Sequence, residues 1–427
     1  MGAISTDITL GRWITEEQCS SSEKVELSAD QFVSAITTGR AIDKSGKEIN
    51  FWVLEHFNYP DSYIVDNVIV HEPVRIERLS FSKIIVLKCS SLENLFIKEC
   101  EFQKKVHFIK VNIEERFSIH DISIGEELSL SDMNVQNTFE LYRSTINRLD
   151  FSRNCLCKEI GIYGGTYFNI RFPRIPKEGK LLLYKVAFVT LSFYEFSNLG
   201  YIHLNGLKPQ ENSSIWITDS IMGLWEIISC NFGKTAILIF SSKITDGFYT
   251  NTIFPKRLDV GFGRTKKEDH PHLRDSYNQL KTIASKQSDR KHFLQFQAAE
   301  LRSFEATLSW FKDFPTKFQL NAMRLSNNYG DSWVRGILFI LFFNLLFLLL
   351  AKHQETLQFL KNYSSQVAKS KFASFLANYF EFLFSIAKKP DWIETDFGTI
   401  VFYISRAFIT FGIYQMVAAF RKFGKGD

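Results

Sequence analysis

Pairs of apolar residues recur every eleven residues through the middle of the chain. The two members of each pair are separated by one residue of any type. The first pairs are Ile84 and Val86, Leu95 and Ile97, Val106 and Phe108, Phe117 and Ile119, Leu128 and Leu130, and Phe139 and Leu141. Because side chains alternate across a strand, both members of a pair point to one face. The repeat therefore predicts very short strands joined by corners.

Most blocks also carry a second apolar pair. These pairs are Cys100 and Phe102, Val111 and Ile113, Ile122 and Ile124, and Met133 and Val135. One block is too small to bury its own apolar face, whereas stacked blocks form one continuous core. The sequence thus predicts a β-solenoid that resembles a right-handed β-helix, with two blocks in each coil. A flat sheet of short strands is the alternative, and the regular spacing disfavours it.

Two irregularities interrupt the repeat. The register slips by one residue at Leu149 and Phe151 and then resumes at Ile160, which predicts a β-bulge or a change of corner. Further on, the segment from Phe172 to Lys180 contains two prolines and a glycine. These residue types favour a loop that protrudes from the coil.

The repeat divides the chain into regions. Residues 79–255 form the predicted solenoid, and residues 1–78 form an N-terminal cap region that covers its open end. Within this region, a short helix is expected to begin with Ser28 as its N-cap. Residues 269–330 have helical spacing and form an amphipathic connector, and residues 333–427 form a predicted membrane domain.

The connector is predicted to contain several helices. One apolar face comprises Tyr277, Leu280, Ile283 and Ala284, and a second comprises Phe293, Phe296, Leu301, Phe304, Leu308 and Phe311. Ser288 and Asp289 are placed to separate these helices and to cap the second. Pro315 ends the second helix and starts another.

The first predicted membrane span lies near 336–351. It has sixteen residues and no charge, and would measure about 24 Å as a helix, slightly less than a bilayer core of about 30 Å. Trp333, Arg335 and Lys352 flank it and are predicted to anchor it, because tryptophan and snorkelling cations favour the interface.

The second predicted span lies near 397–420, and Arg421 and Lys422 are predicted to anchor its end. Arg406 is the charged residue within it. Its guanidinium either snorkels to the interface or faces a bundle interior or pore.

Between the two spans, residues 372–387 are apolar except for Glu381. They predict either an interfacial amphipathic helix or a re-entrant segment. If the segment enters the bilayer, Glu381 is the natural partner of Arg406. Asn344, on the first span, is a further polar group placed to line an ion path.

Charge and cysteine usage restrict the classes of partner and compartment. The net charge is only +5, whereas duplex binding normally needs a dense basic face, so no nucleic-acid partner is expected. The N-terminal sequence lacks the pattern of a signal peptide. The six cysteines are Cys19, Cys89, Cys100, Cys155, Cys157 and Cys230. Their spacing suits neither a disulfide framework nor a zinc site, which predicts reduced thiols and a cytosolic body.

Membrane topology is predicted less directly. With two spans both termini share one side, and the basic C-terminal tail favours the cytosol for that side. Six lysines between the spans count against this assignment. A third span would place the termini on opposite sides.

The sequence predicts no enzymatic activity, no metal and no cofactor. His270 and His272 lack a third ligand at a suitable spacing. Gly261-Phe262-Gly263 is too short for a dinucleotide signature.

The solenoid and the C-terminal segments together resemble bacterial membrane-anchored, pentapeptide-repeat-like proteins with a two-span, ion-channel-like membrane domain. The resemblance extends to the tail Ile413–Phe423 and to the stretch Tyr277–Gly330, although the usual five-residue pattern is largely absent. It implies a multi-pass protein of the bacterial inner membrane with a cytoplasmic solenoid. Some similar proteins are thought to conduct ions or to act in defence against phage.

Two functions follow as hypotheses. In the first, the solenoid senses a protein or small-molecule signal and an oligomeric membrane domain conducts ions or permeabilises the bilayer. Two helices per chain cannot enclose a pore, so this hypothesis requires a homo-oligomer. In the second, the membrane domain only anchors a scaffold that presents the solenoid surface to a protein partner.

Overall fold

The structure is a computed structural model, and it describes residues 24–53, 61–152, 155–172, 179–255, 258, 267–352, 365–385 and 388–424. The chain divides into two compact units, Met1–Arg264 and Thr265–Asp427. The first unit contains a β-solenoid, and the second is α-helical. The predicted fold class is therefore confirmed.

The strands of the first unit are short and numerous. They are β1 (Val25–Glu26), β2 (Arg40–Ile42), β3 (Glu48–Asn50), β4 (Trp52–Val53), β5 (Ser62–Asp66), β6 (Val68–Val70), β7 (Val74–Glu77), β8 (Ser80–Phe81), β9 (Ile84–Lys88), β10 (Ser91–Leu92), β11 (Leu95–Lys98), β12 (Glu101–Phe102), β13 (Val106–Ile109), β14 (Asn112–Ile113), β15 (Arg116–His120), β16 (Ser123–Ser131), β17 (Asn134–Tyr142), β18 (Thr145–Ser152), β19 (Leu156–Tyr163), β20 (Thr166–Phe172), β21 (Lys180–Tyr184), β22 (Ala187–Tyr194), β23 (Ser197–Asn205), β24 (Lys208–Thr218), β25 (Ile221–Ile228), β26 (Ala236–Phe240) and β27 (Lys243–Thr250).

Successive coils of the solenoid pair in parallel and form two long sheets. The first sheet contains β6, β17 and β27, and the second contains β5, β18 and β26. Leu95 pairs with Phe117, and Phe117 pairs with Phe139, so each step along the sheet spans two eleven-residue blocks. Two blocks therefore make one coil, as predicted.

The interior of the solenoid is filled by stacked apolar side chains from both sheets. Phe139 of the first sheet lies 5.4 Å from Phe151 of the second, measured between ring centroids. Phe151 stacks on Phe172 at 5.0 Å, and Phe172 stacks on Phe193 at 5.5 Å. All four rings are buried. Each coil thus buries its apolar face against its neighbours, which a single block could not do.

The corners of the coils share one backbone conformation. A residue with positive φ recurs about every eleven residues, and most of these residues are not glycine. They are Asn67, Arg78, Cys89, Glu99, Lys110, Asp121, Asp132, Arg143, Gly164, Lys185, Glu195, Gly206, Asp219, Ser229, Ser241 and Asn251. The left-handed conformation costs roughly 1 kcal/mol for a residue with a side chain. Backbone hydrogen bonds between coils offset this cost, as in the bond from Asp121 N–H to the Tyr142 carbonyl at 3.0 Å.

The residue that follows most of these left-handed residues is buried, and several of these buried residues carry a hydroxyl or thiol. Ser220 Oγ donates to the Thr218 carbonyl at 2.7 Å and accepts from Phe196 N–H at 3.1 Å. Cys230 Sγ donates to the Ile228 carbonyl at 3.3 Å. Cys100 makes the same bond to Lys98 at 3.2 Å. Cysteine and serine therefore donate an equivalent bond to the carbonyl two residues earlier at these corners.

This equivalence predicts the effect of corner substitutions. We expect Cys230→Ser to change the free energy of unfolding by less than about 1 kcal/mol, because serine donates the same bond. Ser220→Ala should cost about 1–3 kcal/mol, because it removes the acceptor of a buried backbone N–H. Urea unfolding of the full chain in detergent would measure both. Equal destabilisation by the two substitutions would contradict the equivalence.

The predicted slip in the repeat is confirmed as a β-bulge. Ile124 pairs with Ile146, two full blocks further along the chain, whereas Leu128 pairs with Leu149, one position short of two blocks. The predicted loop between β20 and β21 lies mostly outside the described residues. Ile160 pairs with Leu181, again one position short of two blocks, so the register across this segment matches that of its neighbours.

The N-terminal region covers the first coil. Helix α1 (Ala29–Thr38) begins with Ser28 in a capping box, as the sequence predicted. Strand β1 pairs with β6 and strand β4 pairs antiparallel with β5, so both sheets gain a covering strand. Since β5 already belongs to the stacked coils, the solenoid begins near residue 62, inside the range predicted to be the cap.

His107 makes the solenoid sensitive to acid. Its side chain lies on β13, and burial lowers its pKa from 6.5 to about 4. In the unfolded chain the imidazole binds a proton below pH 6.5, whereas in the folded chain it does so only near pH 4. The folded state therefore keeps its full stability above pH 6.5 with respect to His107, and this contribution is lost as the pH falls toward 4. We expect His107→Gln to remove about 2 kcal/mol of this pH-dependent loss between pH 7 and pH 4.5, measured as the unfolding free energy at the two pH values.

Cysteine oxidation state differs within the solenoid. Cys100, Cys155, Cys157 and Cys230 are buried free thiols. Cys89 is disulfide-bonded, so the expectation of reduced cysteines does not hold for this residue.

The second unit is built from helices α2 (His270–Lys286), α3 (Arg290–Thr307), α4 (Phe314–Asn327), α5 (Trp333–Ala351), α6 (Ser365–Phe384) and α7 (Asp396–Gly424), with 3₁₀ turns at Lys267–Asp269 and Asn328–Gly330. Asp289 caps α3 by accepting from His292 N–H at 3.1 Å, as predicted. The predicted face of α2 is buried. The predictions that α3 includes Phe311 and ends at Pro315 were wrong, because α3 ends at Thr307 and Phe311 lies in the following turn, 98% exposed. Pro315 lies in the first turn of α4, as predicted.

Candidate functional site

Helices α5 and α7 form an antiparallel hairpin. The rings of Trp333, at the start of α5, and Phe420, near the end of α7, lie 6.4 Å apart. At the other end, a Cβ on Gly398 would lie 3.6 Å from the Ala351 carbonyl oxygen. The two predicted spans are therefore packed along each other's length.

Glycines allow this close packing. A Cβ on Gly336 would lie 2.9 Å from the Cβ of Met416, and one on Gly412 would lie 2.6 Å from Cγ1 of Ile340. Small residues commonly let apolar helices approach in this way.

The glycine contact predicts a packing defect. We expect Gly412→Val to destabilise the hairpin by about 1–3 kcal/mol, because the added methyl groups would overlap Ile340. Ala407→Val is the matched control on the same helix, where the side chain is exposed. Hydrogen exchange of α5 amides in the detergent-solubilised chain would measure the loss, and similar protection in both variants would exclude this contact.

The outer surface of the hairpin is apolar and exposed. Both Trp333–Ala351 and Asp396–Arg421 are long and apolar enough to cross a membrane. In the most apolar 18-residue stretch of each helix, only 28% and 33% of the residues are buried, respectively. Core helices of soluble proteins bury most of such a surface.

Arg406 binds the C-terminal end of α6. Its guanidinium donates to the carbonyl of Leu383 at 3.2 Å and to the carbonyl of Phe382. The last carbonyls of a helix lack intrahelical partners and carry partial negative charge. The guanidinium also lies over the rings of Phe382 and Phe402, at 5.0 and 4.6 Å from their centroids. Its charge is therefore compensated by a helix terminus and by two aromatic faces.

Glu381 does not pair with Arg406. Its carboxylate accepts from Trp392 Nε1 at 2.9 Å and is exposed. Arg406 is instead bonded to the carbonyls of Phe382 and Leu383, so the alternative pairing suggested by the sequence was wrong.

Asn344 is fully buried between α5 and α6. Its Nδ2 donates to the Tyr379 carbonyl at 3.2 Å, and the Tyr379 hydroxyl donates to the Leu341 carbonyl at 3.0 Å. The two bonds tie α6 to the middle of α5. Asn344 was identified from the sequence, but Tyr379 was not, because its hydrogen bonds form only when α6 packs against α5.

The predicted anchors lie at the two ends of the hairpin. Lys352 Nζ lies 4.7 Å from the centroid of the Trp392 ring. Trp333, Arg335 and Arg421 are exposed. The side chain of Lys422 lies outside the described residues.

A second polar cluster joins α3 and α4 to the hairpin. The hydroxyl of Tyr329 donates to Glu305, whose carboxylate also pairs with Arg324 at 3.0 Å. Burial and the neighbouring carboxylate raise the pKa of Tyr329. Asn327 Nδ2 donates to Gln415 Oε1 at 2.7 Å on α7. Each of these residues looked ordinary in the sequence, because its partner is distant along the chain.

The first sheet of the solenoid carries a ladder of outward-facing rings. His120 stacks on Tyr142 at 4.5 Å, and Tyr142 stacks on Tyr163 at 4.7 Å. Beside the ladder, Arg116 pairs with Glu140, which raises the pKa of the guanidinium. Partial burial lowers the pKa of His120.

A shallow cavity of 260 Å³ adjoins this ladder. It is lined by Asn94, Leu95, Phe96, Arg116, Ser118 and His120. Further along the same sheet, His203 Nδ1 lies 2.6 Å from Glu226, which also accepts from the Tyr201 hydroxyl. We call the outward side chains of β11, β15, β17, β19, β23 and β25 the ladder face. Its rings and charges suit recognition of a partner.

Among the described residues, no three His, Cys, Asp or Glu side chains converge into a potential metal site. Comparison with family models, curated proteins and solved structures finds no match to this chain.

Proposed function

We propose that this chain is an integral membrane protein whose hairpin of α5 and α7 crosses a lipid bilayer and whose solenoid binds a partner through its ladder face. The observation that carries the proposal is the exposure of apolar side chains along both helices of the hairpin. Lipid is the solvent in which such a surface is stable. Helix α6 adds to this surface, since Leu376, Phe380 and Phe384 are exposed.

Membrane insertion can be tested on the full chain. The protein should stay in the membrane pellet after a carbonate wash and be released by detergent. A variant with Leu338→Arg and Phe342→Arg, at exposed positions of α5, should appear in the soluble or aggregated fraction, because a charge near the bilayer centre costs about 3 kcal/mol. Release of the unaltered chain by carbonate would refute the proposal.

Ion conduction by an oligomer is a second proposed function. It is favoured by the position of Arg406, a charge within an apolar helix, which in membrane proteins often marks an ion path. Because the guanidinium binds the end of α6, movement of α6 would free this charge. A homo-oligomer is required, since two helices cannot enclose a pore.

Conduction is tested by producing the full chain in bacteria and recording membrane potential with a dye. Depolarisation that changes in Arg406→Gln but not in Arg421→Gln would support a pore. Absence of depolarisation, with the full chain shown to be in the membrane, would leave the anchored scaffold as the function. No catalytic step enters either proposal.

The proposed location is the bacterial inner membrane, with the solenoid in the cytoplasm. The proposed biological role is defence against phage. The buried free thiols support a reducing compartment, whereas the disulfide at Cys89 counts against it. Accessibility of Lys208, exposed on β24, to an impermeant amine reagent in intact cells would decide the side. Labelling before lysis would refute the cytoplasmic placement.

A further inference from the structure

Large apolar side chains are exposed on one side of α4 and on the turn before it. Phe311 is 98% exposed, and Trp310, Phe314, Phe318 and Leu325 are 49–62% exposed. At 100° per residue, Phe314, Phe318 and Leu325 fall within a narrow sector of the helix.

The opposite side of α4 is committed to the protein. Leu320 packs with Ala298 and Tyr329, and Asn327 binds Gln415. Helix α4 therefore turns its aromatic side away from the helices of the second unit that it packs against. We call the exposed side chains of Trp310, Phe311, Phe314, Phe318 and Leu325, on α4 and the turn before it, the aromatic face.

Basic residues border the aromatic face. Lys317 Nζ lies 5.3 Å from the centroid of the Trp310 ring, and its ammonium donates to the Leu308 carbonyl at 2.7 Å. Lys312 is exposed nearby, whereas Arg324 is engaged in its ion pair with Glu305. Asp313, the acidic residue of this stretch, accepts from Ser309 N–H at 2.9 Å within the turn.

The aromatic face is continuous with the hairpin. Helix α4 leads directly into α5, and the bond from Asn327 to Gln415 fixes its end beside α7. That end of the hairpin carries Trp333 and Phe420, which are both exposed and lie in edge contact. The interfacial end of the hairpin and the end of α4 therefore lie side by side.

We infer that the aromatic face of α4 is seated in the headgroup region of the bilayer, with its basic residues against anionic lipid. This inference rests on the proposed membrane insertion of the hairpin. Tryptophan, phenylalanine and lysine on an amphipathic helix favour such a position, where apolar side chains leave water and cations meet lipid phosphates. An interfacial helix of this kind would hold the connector close to the membrane surface.

The test uses the full chain in phosphatidylcholine vesicles with or without phosphatidylglycerol. An environment-sensitive dye is attached in separate variants at Phe311→Cys, Phe318→Cys, Gln319→Cys and Leu338→Cys, and brominated lipids are the quencher. Gln319 is the matched control, since it is exposed on α4 but lies away from the aromatic face. Unaltered protein treated with dye gives the background from native cysteines.

We expect quenching at Phe311, Phe318 and Leu338, little quenching at Gln319, and stronger quenching of the α4 labels when phosphatidylglycerol is present. Quenching at Leu338 alone would overturn the inference while leaving the hairpin in the membrane. Absence of quenching at all of these positions, including Leu338, would overturn membrane insertion of the hairpin itself. Dye–dye energy transfer at Phe311 without lipid quenching would mean that a second copy of the chain covers the face, which also overturns the inference.

Discussion

Phe172→Ala should destabilise the solenoid by about 3–5 kcal/mol, the usual cost of removing a buried phenyl ring. Phe172 is fully buried and stacks between Phe151 and Phe193 of the neighbouring coils. Its loss leaves a cavity at a boundary between coils, and each coil is stabilised mainly by its neighbours. Pulse proteolysis of the full chain in detergent, over a urea series, would measure the change.

Phe168→Ala is the matched control for this prediction. Phe168 lies on the same strand but points outward and is 60% exposed, so its replacement should change the unfolding free energy by less than about 0.5 kcal/mol. A similar cost for both substitutions would show that the inward and outward faces of β20 are assigned incorrectly.

Arg406→Leu should detach α6 from the hairpin. The substitution removes two charge-assisted hydrogen bonds to carbonyls at the end of α6 and the contacts with Phe382 and Phe402. Such bonds contribute about 1.5–3 kcal/mol each, and their effects within one site are not additive. A net loss of about 3 kcal/mol corresponds to roughly 100-fold faster hydrogen exchange in residues 375–384.

Two variants make this result specific. Arg421→Leu removes a cation from the exposed end of the same helix and should leave exchange in α6 unchanged. Glu381→Gln should also leave it nearly unchanged, because the carboxylate binds Trp392 and not Arg406. If hydrogen exchange in α6 were as fast in Glu381→Gln as in Arg406→Leu, an ion pair between Glu381 and Arg406 would be indicated, contrary to the structure.

The ladder face could be predicted in part from the sequence. The outward positions of β15, β17 and β19 follow directly from the alternation of each strand, so the exposure of His120, Tyr142 and Tyr163 was implicit in the repeat. Their stacking at 4.5 and 4.7 Å was not. It depends on the length of each coil, which is two full blocks from His120 to Tyr142 and one position fewer from Tyr142 to Tyr163, after the bulge between β17 and β19.

The sequence by itself determined the solenoid and the apolar hairpin helices. Strand alternation and the eleven-residue period are local properties, and every block repeats the same choice. A displaced boundary, such as the start near residue 62, therefore does not change the fold. Helix α4 was also predictable from Pro315, although the exposure of Phe311 was not.

Only the tertiary structure decided how the polar groups of the helical unit are used. Two kinds of partner for Arg406 lie in the same preceding segment of the chain, the carboxylate of Glu381 and the end of α6. The packing of α6 against Phe402 places the carbonyls of Phe382 and Leu383, and not Glu381, beside the guanidinium. Asn344 and Asn327 likewise depend on partners 35 and 88 residues away. Such choices are set by the three-dimensional competition between acceptors, which has no local pattern in the sequence.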